Sequence, residues 1–320
     1  MNNEIERTDW SALPVGYLSP SQVWSFVACG ACYEAERILR IPKPVSADLL
    51  IGRFAHSAVA QMRQAAAHDY EAYVEAGSDA FDHILAERVD VEETGEAVPI
   101  EVELTKKYAD LAEAKDVAVR LTRHILPAIA KYDEQAGVVA AEARVMHLGP
   151  SFHGYPELFD KLNDEEKEDA RAESEQQFVG GIEPVFPFPV KAFLDVMYAN
   201  GVIKDLKTSS RNGSPDSLAS LQLLMYGLPW WKAGEPQKLG FDVAIKTKSP
   251  DFATYWLNGT GEVSDEQYAY ARWRVLQAAD DICAGRFRPA DGNLFCRYEH
   301  GLPKGERAAV MPGIELAVSA

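Results

Sequence analysis

One stretch of this 320-residue chain limits its architecture more than any other. Residues 190–198 and 202–206 are two apolar, β-prone runs separated by Asn200-Gly201. That dipeptide between such runs is a strong hairpin signal, because both residues tolerate positive φ. Two strands therefore lie side by side, and each carries an acid: Asp195 on the first, Asp205 on the second, with Lys207 two positions further on. Strand side chains alternate with a period of two, so Asp205 and Lys207 point one way while Leu206 points into the core. Two carboxylates and an ammonium thus meet at one place. Such a group can hold a divalent cation and activate a water.

The chemistry accounts for the residue types. Mg²⁺ takes hard oxygen ligands and keeps several waters, so one or two carboxylates plus a substrate phosphate suffice. Two unpaired carboxylates about 4 Å apart repel by about 1 kcal/mol in water and about 4 kcal/mol at an effective dielectric of 20. A bound cation reverses the sign. Lys207 could then orient the attacking water or stabilise charge growing on a phosphoryl oxygen. An Asp-x-Lys string alone also describes a hairpin with surface charges.

Other short patterns accompany the hairpin. Ser19-Pro20-Ser21 and Phe26-x-x-Cys29 precede a helical run that ends at Ile41-Pro42-Lys43-Pro44. Gly52-Arg53-Phe54-Ala55-His56 opens an apolar-periodic stretch, a predicted helix over 51–62. Gln222 and Tyr226 stand one turn apart in a second predicted helix, 214–232.

In this order the patterns resemble the PD-(D/E)XK nuclease superfamily, and within it the RecB-like and Cas4-like exonuclease branch also found in many tailed phages. The ordered matches run from Ser19 to Tyr226; Ala192 stands where the family usually has glycine before the first acid. The resemblance implies an α/β fold: a restriction-endonuclease-like core, with a small central mixed sheet flanked by helices and a helical N-terminal elaboration. It implies that Asp195, Asp205 and His56 ligate Mg²⁺ or Mn²⁺, with at most the backbone carbonyl of Leu206. Lys207 would assist the water, and Gln222 and Tyr226 would orient that lysine or contact the DNA backbone. A helper glutamate is expected upstream, Glu142 in preference to Glu183. The implied activity is a metal-dependent DNA exonuclease in recombination, repair or replication. It would act on linear, including single-stranded, ends, and a recombination protein is the implied partner. A Cas4-like end-trimming nuclease and a non-catalytic DNA-binding module are the alternatives.

Some relatives carry an iron–sulfur cluster on one early and three late cysteines. Here Cys29 and Cys32 are early and Cys283 and Cys296 late. The count suits a cluster and the distribution does not, so plain cysteines are the favoured expectation.

The remaining chain bounds the reading. It is long enough for one elaborated domain over 1–320. No apolar run approaches the roughly 18–20 residues that span a bilayer. The polar, acidic N-terminus is unlike a signal peptide, which suggests a cytoplasmic location, the host's cytoplasm if phage-encoded. The net charge of −17 argues against a DNA-coating protein. A dense acidic stretch within 157–181 reads as a flexible insertion, and basic residues (Lys204, Lys207, Arg211, Lys246, Lys248, Arg272, Arg274, Arg286, Arg288, Arg297) read as a locally positive cleft. Helices are predicted over 20–40, 49–67, 69–88, 101–135, 215–233 and 264–284. Strands are predicted over 138–147, 190–198, 202–207, 238–246 and 252–258.

Overall fold

A computed structural model describes residues 8–41, 44–65, 69–86, 88–91, 96–99, 101–104, 107–144, 156–162, 167, 184–213 and 217–288. Its centre is a five-stranded sheet of β1 (Val138–Arg144), β2 (Phe193–Tyr198), β3 (Val202–Ser209), β4 (Lys238–Ile245) and β5 (Asp251–Trp256), in that spatial order. All neighbouring pairs are antiparallel except β3 and β4, which are parallel. A parallel pair needs a crossover, and helix α5 (Ser217–Lys232) supplies it. Its run of leucines, Met225 and Trp230 is apolar nearly all round. A helix of that composition has to be covered on every side. It lies in the main core cluster between the sheet and helix α6 (Asp265–Cys283), with Val23 of helix α1 (Pro20–Ala28).

The other face of the sheet is covered by helices α2 (Ala47–Gln64) and α4 (Leu111–Ala136), with α3 (Tyr70–Ala86) packed against both. Alternation in β3 serves both layers: Ile203 enters the α5–α6 core, whereas Leu206 enters the α2–α4 core beside Ala244. The expected mixed sheet flanked by helices, with a helical N-terminal part, is therefore what the chain adopts.

The hairpin closes through a three-residue loop, 199–201. Gly201 takes the left-handed position (φ +74°) and donates to the Tyr198 carbonyl at 3.0 Å, while Asn200 keeps negative φ. This is a turn followed by a glycine bulge rather than a tight two-residue turn.

Two predicted elements differ. The helix over 20–40 breaks at Cys29, whose backbone is extended (φ −165°, ψ 105°) and whose Sγ caps the next turn by accepting from the Cys32 amide. The break makes room for the chain beyond α6, since a Cβ on Gly30 would stand 2.9 Å from Arg288 backbone. The helix over 101–135 starts only at Leu111, where the Asp110 side chain caps the Glu113 amide. Before it, Val102–Glu103 pairs in parallel with Val45–Ser46. A hairpin of Arg88–Val91 with Glu96–Pro99 was not expected from the sequence. Most of the acidic stretch within 157–181 lies outside the described residues. Among the described residues no helix is long and apolar enough to cross a membrane.

Candidate active site

The ladder between β2 and β3 ends at Val196↔Lys204, one step short of bringing Asp195 level with Asp205. There the Asp195 carboxylate reaches across, and its Oδ2 accepts the Leu206 amide at 2.6 Å. Asp205 is buried, 2% exposed. Its Oδ2 has Lys207 Nζ 2.7 Å away, yet no donor aligned for a hydrogen bond. Burial pushes the Asp205 carboxyl up to about 6; the charge of Asp195 adds to the rise, and Lys207 and His56 oppose it.

From Lys207 a chain of polar contacts runs onto α5. Lys207 Nζ donates to Gln222 Oε1 at 3.1 Å, and Gln222 Nε2 donates to the Tyr226 hydroxyl at 2.8 Å. The one-turn spacing of Gln222 and Tyr226 is what lets them touch. Period two on β3 and the crossover helix together aim the ammonium between a carboxylate and an amide.

His56 arrives from the opposite layer. Its Nδ1 lies 3.6 Å from Asp195 Oδ2, and its side chain is 35% exposed. Helix α2 reaches this position by close docking on the end of β3: a Cβ on Gly52 would stand 3.3 Å from Thr208 Oγ1. A four-residue lock fixes the N-terminus of α2, where Asp48 is met by Lys246 at 2.9 Å, Tyr108 at 2.8 Å and Lys107 at 3.0 Å. Burial works against the Asp48 charge, but hydrogen bonds from Lys246, Tyr108 and Lys107 outweigh it and hold the carboxyl down at about 2.

The buried Asp205 carboxylate beside a second carboxylate, with Lys207 its close cationic neighbour, suits a cation in chemistry and charge. Among the described residues no three His, Cys, Asp or Glu side chains close into a ready-made cage. Hard carboxylate oxygens of this kind suit a divalent cation that keeps several of its waters.

Glu142 lies in β1 between the register pairs Ala141↔Val196 and Ala143↔Leu194, level with Asp195. Its side chain, and Glu183 altogether, fall outside the described residues. Cys29 and Cys32 are buried and Cys283 is partly so, none of them in a disulfide; Cys296 is not described. Burial, then the nearby Asp280, pushes the Cys283 thiol up to about 11.

Four of the basic residues expected in a positive cleft are engaged by partners within the fold, while Arg274, Arg286 and Arg288 line one pocket beside α1. Lys204 is buried against Asp242 at 2.9 Å, with its ammonium 3.6 Å from the Tyr132 ring centroid. Lys246 is spent on Asp48, Arg272 donates to the Val185 carbonyl, and Arg286 pairs with Asp280 and Asp281. Alternation and burial, which a list of basic residues ignores, decide this. Arg297 lies outside the described residues.

One contributor escaped the sequence reading. Arg63, two turns beyond His56 on α2, donates from its second guanidinium nitrogen to the backbone carbonyl of Asp195 at 3.2 Å. Its spacing of seven from His56 was the available signal; its partners Asp133 and Tyr198 carried none.

Among curated proteins none matches the sequence. A solved structure described as a putative exonuclease from Eubacterium rectale is similar over 98% of this chain and 99% of that one, at 14% identity and a TM-score of 0.47. The family model of the PD-(D/E)XK nuclease superfamily matches residues 17–298. That match takes in both hairpin acids, Lys207, the α5 pair and the helix that brings His56, and the chain belongs to the PD-(D/E)XK nuclease superfamily.

Proposed function

We propose that this chain is a Mg²⁺- or Mn²⁺-dependent deoxyribonuclease that degrades DNA from its ends. The observation that carries the reading is the contact chain Asp205–Lys207–Gln222–Tyr226 set against Asp195 and His56. Asp195 and Asp205 would hold the cation, with His56 at the open edge. When bound, the ion supplies Lewis acidity and lowers the pKa of a coordinated water. Lys207 orients the attacking water or stabilises charge growing on a phosphoryl oxygen, and Gln222 fixes where its ammonium stands. Glu142, level with Asp195 in register, is the candidate helper glutamate.

The test is cleavage of end-labelled linear DNA and closed-circular DNA with Mg²⁺, Mn²⁺ or EDTA, beside Lys207→Ala. The expected result is metal-dependent loss of the linear DNA alone, with the variant slower by at least about 100-fold, the range of a lost charge-stabilising donor. Cleavage of circles would make the protein an endonuclease. Retained activity in Lys207→Ala, with cleavage otherwise as expected, would remove the site assignment. Metal-independent DNA binding without turnover would favour a binding module.

A further inference from the structure

Asp195 must hold its carboxylate against β3 although the β2–β3 ladder stops one residue short of it. The helix that carries His56 also carries Arg63, whose side chain is only 3% exposed. Its guanidinium touches three acceptors: Nε donates to Asp133 Oδ2 at 3.0 Å, one terminal nitrogen to the Asp195 backbone carbonyl at 3.2 Å, the other to the Tyr198 hydroxyl at 3.4 Å. Tyr198 closes the loop by donating to Asp133 Oδ1 at 2.6 Å.

Resting on the metal-dependent reading above, we infer that Arg63, braced by Asp133 and Tyr198, is a positioning residue that sets Asp195 as a metal ligand. Three elements converge on it: α2 through Arg63, α4 through Asp133, and β2 through Asp195 and Tyr198. The planar fork explains why arginine stands here, since three separate guanidinium nitrogens each meet their own acceptor, whereas an ammonium presents all its donors from one nitrogen. Burial strengthens these bonds, and desolvation of the guanidinium is outweighed by the charge and hydrogen bond of Asp133 together with the charge of Asp195. Because His56 and Arg63 share one rigid helix, the imidazole and the backbone of Asp195 are set together. A displacement of α2 would move both.

The test separates positioning from simple core stability. Arg63→Lys keeps a cation for Asp133 and so spares folding, but loses the fork. Mn²⁺ binding to the protein without DNA, read from the loss of the free-ion electron paramagnetic resonance signal, is expected to weaken about tenfold, the lower end for groups that orient a metal ligand. The Mn²⁺ midpoint for cleavage should move by the same factor, with KM for DNA at saturating metal unchanged. Tyr198→Phe should shift the midpoint the same way by less, and it decides the matter if Arg63→Lys shows no cooperative melt. Parental Mn²⁺ affinity in both folded variants would overturn the inference while leaving the nuclease reading standing. Absence of Mn²⁺ binding in the parent would remove the metal reading and this inference with it.

Discussion

Asp205 is a carboxylate without solvent and with another carboxylate beside it, so in the metal-free protein its charge is a cost. Its folded value of about 6 stands above the ordinary 3.8. Between those values the native state keeps a proton that the unfolded chain releases, so stability falls as pH rises through that window and the full cost remains above it. Asp205→Asn should therefore stabilise the protein in EDTA at pH about 7.5, by up to about 3 kcal/mol at about 1.4 kcal/mol per unit. The gain should vanish near pH 4; thermal melts at the two values check this, and an equal gain at both would mean the burial cost is misassigned. That Asp205 and Lys207 share a face was legible from period two. That Asp205 is desolvated was not, because its cover comes from residues of other elements.

Helices α2 and α3 approach so closely that they fix where His56 can be. A Cβ on Gly77 would stand 2.7 Å from the Phe54 carbonyl and 2.6 Å from its ring. Gly77→Ala gains about 1 kcal/mol of helix propensity but forces backbone apart, a strain of about 1–3 kcal/mol. The expected outcome is a lower Tm and weaker Mn²⁺ binding; an unchanged or higher Tm would show that the helices can separate at no cost. Periodicity gave the existence of α2, α3, α5 and α6 within a few residues, and the apolar runs gave all five strands of the sheet. The break at Cys29 was illegible because a distant segment, Arg288, occupies the space a longer helix would need. The start of α4 was read too early because Val102–Glu103 is drawn into pairing with Val45–Ser46.

Across the whole protein the charge of −17 is a self-repulsion that folding must carry. Screening lengths fall from about 30 Å at 0.01 M salt to about 8 Å at 0.15 M. The Tm should therefore rise by a few degrees over that range, and a fall would mean that local ion pairs such as Asp48–Lys246 outweigh the global repulsion. Composition stated the net charge but not its distribution. Lys204 and Lys246 look like cleft cations in the sequence and are buried ion-pair partners in the fold. The sequence by itself determined the hairpin, the common face of Asp205 and Lys207, and the adjacency of Gln222 and Tyr226, because strand and helix periods act over a few residues. Only the tertiary structure decided that Lys207 Nζ meets Gln222, that His56 stands beside Asp195, and that Arg63 grips the Asp195 backbone. Those contacts join residues far apart in the chain, and packing of two helical layers against one sheet sets them, which no local period encodes.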